Sequence, residues 1–288
     1  LTLWLSATLA FFALRVLPGD AVVAQLAASG ASEETIQARQ RQLGLHEPIL
    51  IQYLQFITNL THGDLGYSLV DGLPVTELVL ERLGTTMPLA IGGFSVAITM
   101  GVGLGIMGAF SLRWGLSSAA RSLTSLALGT PVYWTATLVI FAFGFLMNAN
   151  SQAGVWLLPI AVLGFHTSGA IARIVQTSLR ETMNADFVVT ARAKGLPESL
   201  ILYRHILRAA LPPAIPVIAL QAGFLLGGTV IIETLFMRPG LGQLLLNRTI
   251  QQDYPVVQGL IVLSAFIYTI ANTVADFLLR LVDPRISP

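Results

Sequence analysis

Few side chains in these 288 residues could do chemistry. There is one lysine, Lys194, four histidines and no cysteine. Without cysteine the chain has no disulfide, thiolate metal site or cysteine nucleophile. His46, His62, His166 and His205 are scattered, and no His-Glu-x-x-His pair occurs, so no metal ligand set is assigned. Gly-Phe-Ser at 93–95 lacks the G-x-S-x-G frame of a hydrolase, which leaves an integral membrane hydrolase without a nucleophile–base set. A phosphate-binding loop needs a glycine-rich turn and a lysine before Ser or Thr. Lys194 instead precedes Gly195 and follows no such turn, so any ATP chemistry belongs to another chain. No catalytic residue is assigned. What remains is Glu233 in an apolar run, and Tyr268, Asn272 and Asp276 at four-residue spacing in another. Ionisable groups at membrane depth are candidates for a pathway or gate. A buried hydrogen bond between helices is the structural alternative for each. A proton relay built from them would make the chain a proton-coupled carrier.

The elements that must hold these residues are greasy. Hydrophobic residues make up 54% of the chain and charged residues 11%, with mean hydropathy +0.74. A soluble domain carries about 25% charged residues. Several apolar runs approach or exceed the roughly 20 residues that cross a bilayer as helix. Leu1–Leu17 is short and reads as the end of a first span that is N-terminally incomplete, or as an uncleaved signal peptide. Leu89–Phe110, Leu123–Met147, Val155–Ile174, Pro212–Phe236 and Val256–Leu281 are the other five. The fold class is therefore all-α, a polytopic membrane protein with six spans. Residues 18–85 are a loop and 86–288 a five-helix core that includes a loop at 176–211.

The loop is polar. Arg39, Arg41 and Arg82 face eight acids in residues 18–82 (Asp20, Glu33, Glu34, Glu47, Asp64, Asp71, Glu77 and Glu81). Short amphipathic helices fit Ser32–Leu43, Pro48–Leu60 and Pro74–Leu83, separated by turns at Gly44, 62–66 and 71–74. Lysine and arginine then orient the protein. The side holding 18–82, 148–154 and 237–255 has Arg39, Arg41, Arg82, Arg238 and Arg248. The side holding 111–122, 175–211 and the C-terminus has Arg113, Arg121, Arg180, Arg192, Lys194, Arg204, Arg208 and Arg285. The second side is expected to be cytoplasmic and the acidic loop outside.

Small residues recur every fourth position on two spans: Gly93, Ala97, Gly101, Gly105 and Ala109, then Ala219, Gly223 and Gly227. Such faces let helices approach closely. The partner is a helix of the same chain or of a second membrane subunit.

The basic segment Thr190–Pro213 reads as two short helices around a turn. Asp186 opens the first, and Arg192 and Lys194 close it, as the helix dipole favours. Gly195 suits the left-handed residue that ends a helix. Pro197 and Glu198 suit the first turn of the next, which runs to about Ala210. Leu200, Tyr203 and Leu207 are expected on one face and Arg204 and Arg208 on another. Phe187 and Ala191, four apart, are expected to form a knob beside a small residue, with Thr190 and Lys194 at the rim. The whole is a rigid protrusion of the kind a mechanical contact requires.

"ADFVVTARAKGLPESLILYRHILRAALPP" (185–213) resembles the cytoplasmic EAA loop of ABC importer permeases, in the wording of the dipeptide/oligopeptide/nickel branch. "LPGD" (17–20), "GDLGYSL" (63–69), "ERLGTTMPLAI" (81–91), "GTPVYW" (129–134), "LQAGFLLGGTVIIETLFMRPGLGQLL" (220–245) and "DYPVVQG" (253–259) resemble it too, as do "LGLHEPILIQYLQF" (43–56) and "DPRI" (283–286). The resemblance covers essentially the whole chain. It departs at Phe187 and Val189, where the branch often has Tyr and Arg, and in lacking the glutamate of the generic EAA pattern.

The resemblance implies a type I importer permease and not an enzyme. Its partners would be a second related permease, two ATPase subunits carrying ATP and Mg, and an extracytoplasmic binding protein, in the inner membrane of a prokaryote. No cofactor is expected on this chain, and no nucleic acid. Its cargo would be peptides, or nickel or another small solute. Asp186, Phe187, Thr190, Ala191, Arg192, Lys194 and Gly195 would form the helix that seats in an ATPase groove.

Overall fold

The computed structural model describes residues 2–16, 32–34, 37, 46–110, 114–146 and 152–282. Among these the protein is all-α. One isolated bridge, Tyr67 to Pro74, is the only β pairing among them. A helix satisfies its own backbone in lipid, which suits long continuous apolar runs.

Helix α1 is Thr2–Val16 and α2 is Ile49–Thr61, which begins after Pro48 as expected. The expected helix Ser32–Leu43 lies almost wholly outside the described residues. Helix α3, Val75–Ala109, joins two elements read separately from the sequence, Pro74–Leu83 and Leu89–Phe110. Pro88 sits inside it. A single proline removes one backbone donor, and neighbours in a bundle absorb that loss.

The opposite correction applies further on. Leu123–Met147 is not one continuous helix. Helices α4 (Trp114–Gly129) and α5 (Val132–Leu146) meet at 110°. Here Gly129 stands two residues before Pro131, and the residue before a proline avoids the helical region. The two weak helix formers together break the chain where Pro88 alone does not.

Helix α6 (Gln152–Met183) contains Pro159 and runs past the expected Ile174 end. Helix α7 is Asp186–Ala193 and α8 is Glu198–Ala210. Helices α9 (Ala214–Leu235), α10 (Leu241–Ile250) and α11 (Tyr254–Val282) complete the order. Three helices, α3, α6 and α11, are long and apolar enough to cross a membrane. The count reaches five if α4–α5 and α8–α9, the latter bent by 54°, are each one broken span. Among the described residues α1 adds only a shorter apolar stretch, Thr2–Ala13, so six spans are not counted there.

The chain divides into two compact units. The first comprises residues 1–86 and 238–269. In it Phe11 is buried against Tyr53 and Phe56, with ring centroids 5.4 and 5.5 Å away, which fixes α2 on α1. Val75, Leu78 and Val79 of α3 pack with Leu241, Leu244, Val256 and Leu260. Thr86 Oγ1 accepts the Leu241 N–H at 2.8 Å, satisfying a donor at the start of α10. Asp253 is wholly buried and accepts from Ser68 Oγ at 2.5 Å and the Leu69 N–H at 2.9 Å. Arg248 pairs with Asp71 and, at 3.6 Å, with Asp253.

The second unit comprises 87–237 and 270–288. Its core is α3 against α6. A Cβ placed on Gly101 would lie 2.8 Å from Ile171 Cβ and 3.0 Å from the Ser168 carbonyl. On Gly105 it would lie 2.7 Å from Val175 Cβ and 2.9 Å from the Ala172 carbonyl. Ala97 is wholly buried, and Gly93 lies against Leu163. The α3 stripe therefore packs within the chain. Helix α6 answers with its own small residues, Gly164, Ser168 and Ala172, a stripe the sequence reading passed over. Gly164 leaves room for Val96 of α3.

At the end of α3, one carbonyl collects three donors. Gln176 Nε2 and Arg180 Nη2 reach Gly108 O at 3.2 Å, and Arg121 Nη1 at 3.4 Å. A helix C-terminus leaves its last carbonyls unpaired, and positive groups suit it. Two of the arginines counted for orientation thus also anchor helix ends.

Candidate functional site

The segment around α7 has the helix–turn–helix shape its sequence implies. Asp186 opens α7. Gly195 takes φ +75°. Its N–H bonds to Arg192 O at 2.9 Å and the Leu196 N–H to Ala191 O at 3.4 Å. This double closure is the Schellman ending, which requires a left-handed residue at that point. Arg192 Nε donates to Glu198 Oε1 at 2.8 Å and Nη2 to Oε2 at 3.3 Å, bridging the turn. The hydrogen bond holds Arg192 above its usual pKa and Glu198 below the usual value. Both side chains are exposed, so the pair orients the turn more than it stabilises it.

The buried side of α7 is Val188 and Ala191. They belong to one apolar cluster with Val175 and Leu179 of α6 and Ile201 and Ile206 of α8. Ala191 therefore faces its own chain, and the expected pairing of Phe187 with Ala191 on an accessible face is corrected. Phe187 is 46% exposed and Val189 58%. Thr190 and Lys194 are exposed as well, with Thr190 Oγ1 donating to Asp186 O at 2.9 Å.

On α8, Leu200 and Tyr203 are exposed, and the buried residues are Ile201, Ile206 and Ala210. Ile201–Ile206 is wound as a π turn. Residues five apart share a face in that wider winding, not in the α-helix assumed from the sequence. No local sequence signal announces it. The buried pair Ile201 and Ile206, set five apart in a basic segment, is the only trace.

The remaining candidates fall differently. Glu233 is wholly buried on α9. On α11, Tyr268 and Asp276 are exposed and Asn272 is half-buried. On α9 Gly223 is half-buried, and a Cβ on Gly227 would meet nothing within 4 Å. His166 Nδ1 lies 3.1 Å from Ala127 O, a helix-to-helix bond. Among the described residues no three His, Asp or Glu are gathered as metal ligands.

Known proteins are similar to this chain. A peptide transport system permease protein of Brucella abortus is 33% identical over 293 positions, covering 97% of this chain and 93% of that protein. The nickel import system permease protein NikB of Staphylococcus aureus is 30% identical, covering 98% and 87%. Among solved structures, an amino acid ABC transporter superposes with TM-score 0.56 at 18% identity, over 73% of this chain and 95% of that one. An inward-facing MetNI methionine ABC transporter gives 0.60 at 16%, over 72% and 97%. These likenesses carry the fold. A family profile described as binding-protein-dependent transport system inner membrane component matches residues 101–288, and the chain belongs to that family of ABC importer permeases, which are transport subunits and not themselves enzymes.

Proposed function

We propose that this permease passes di- or oligopeptides inward across the cytoplasmic membrane of a prokaryote. The peptide name of the 33% relatives supports that cargo over nickel, the cargo named for the 30% relative. ATP and Mg sit on two separate ATPase subunits, and a second related permease completes the pathway. The acidic first loop and the 237–255 loop lie outside, where a binding protein delivers cargo. The ATPases grip α7 from the cytoplasm, and their closure swings the permease from inward- to outward-open.

One observation carries the coupling reading. Helix α7 exposes Phe187 while Val188 and Ala191 fix its other side to α6 and α8. A push on Phe187 then moves two long elements without bending α7. Phe187→Ala removes an aromatic anchor, which costs about 2 kcal/mol or more at an interface, roughly thirtyfold in affinity. Gly195→Val strains a left-handed residue and misaims the turn. Both variants are expected in the membrane at normal level, with weakened ATPase co-purification and lost peptide uptake. Normal co-purification and uptake in both would refute the role of α7. Leu73→Cys, at an exposed position, reports orientation by labelling in intact cells. Labelling only after permeabilisation would invert the topology. Competition between peptides and Ni²⁺ for uptake decides the cargo.

A further inference from the structure

The first unit holds a polar pocket of about 230 Å³ that the coupling reading does not use. Arg82 of α3 forms one wall, and Gln243, Asn247 and Gln251 of α10 another, with Arg248 beside them. The three carboxamide residues are four apart, so they share one face of α10 and its C-terminal cap. Gln251 Oε1 accepts from Arg248 Nη1 at 3.0 Å, which fixes the amide of Gln251. Among the described residues no carboxylate lines the pocket.

The two arginines are not equivalent. Arg248 is answered by Asp71 and Asp253. Arg82 has among the described residues one ion pair, 3.6 Å from the exposed carboxylate of Glu81. Its Nε–H is buried and, among the described residues, has no acceptor. The Arg82 side chain is 32% exposed, so its charge is accessible to a partner arriving from outside. The donor set and the positive lining fit a carboxylate. The volume is below the roughly 300–1,000 Å³ of a small-molecule site, and suits one acidic side chain more than a whole peptide.

We propose that this pocket receives an aspartate or glutamate of the binding protein, with Arg82 as its ion-pair partner. The proposal rests on the importer reading and on the arginine asymmetry that puts residues 237–255 outside. The carboxylate pairs with the exposed part of the Arg82 guanidinium, and α10 fixes the angle at which the partner docks.

The test uses the assembled transporter in nanodiscs and measures affinity for its binding protein by interferometry at low and high salt. Arg82→Gln is expected to weaken association about tenfold or more and to flatten its salt dependence. Arg82→Lys is expected to restore part of the affinity. A scan of acid-to-lysine changes on the binding protein is expected to find one that rescues Arg82→Glu. Co-purification with the ATPases monitors folding. Gln251→Ala, on an exposed cap, serves if Arg82 variants fail to assemble, and is expected to weaken association as well. Unchanged affinity in Arg82→Gln, or in Gln251→Ala where that variant is used, overturns the proposal. So does unchanged affinity with poorer uptake of free-carboxylate peptides than of amidated ones, which would make the pocket a substrate site. No binding by the unaltered transporter would overturn the importer reading itself.

Discussion

Along α3, Gly93, Ala97, Gly101 and Gly105 recur every fourth residue; along α9, Ala219, Gly223 and Gly227 do the same. On α3 the spacing is filled. Ile171 and Val175 of α6, themselves four apart, sit where glycine side chains would be, and the α6 carbonyls lie within 3.0 Å of those sites. On α9 the glycine at 227 faces open space, between Phe224, 63% exposed, and Ile231. Small residues at this spacing make close approach available. Whether it is used depends on the surface opposite, and α6 carries both a matching ridge and small residues of its own.

The largest break in this contrast is Gly105→Leu. Its side chain would start 2.7 Å from Val175 Cβ and 2.9 Å from a backbone carbonyl, neither of which can swing aside as a long side chain would. Overpacking of this kind costs about 1–3 kcal/mol or more. A clear fall in thermal stability in detergent and in folded yield is expected. A wild-type melting curve would mean that α3 and α6 are further apart than described.

Arg180→Ala is a milder cut at the end of the same contact. It removes one of three donors to Gly108 O, leaving Gln176 and Arg121. A loss of about 1 kcal/mol is expected, with larger losses when Gln176→Ala is added. Additive, small effects in the double variant would show that the cap is solvated by water.

Gly227→Leu should have the least effect on the chain alone, within about 0.5 kcal/mol. It sharpens the comparison by separating chain folding from assembly. Unchanged stability with weakened pairing to the proposed second permease would assign the α9 stripe to that subunit. Unchanged stability and pairing would leave it to lipid. A large loss of stability in the isolated chain would erase the contrast with α3.

The sequence by itself determined the class: helical content, the apolar runs, and the helix–glycine–helix outline of 186–210. These follow from composition and from local rules, since Gly195 at a helix end and acids in a first turn need no distant partner. Proline was legible as a position but not as an outcome: Pro88 and Pro159 are carried inside helices, whereas Pro131, with Gly129 nearby, turns the chain by 110°. The tertiary structure decided the rest. It alone turned Ala191 inward, put Ile201 and Ile206 on one face through a π turn, brought Arg121, Gln176 and Arg180 to one carbonyl, and set Arg82 opposite α10. Each joins residues distant in sequence or changes the winding that a fixed 3.6-residue period assumes. Periodicity says which residues can share a face, and only packing says which face meets what.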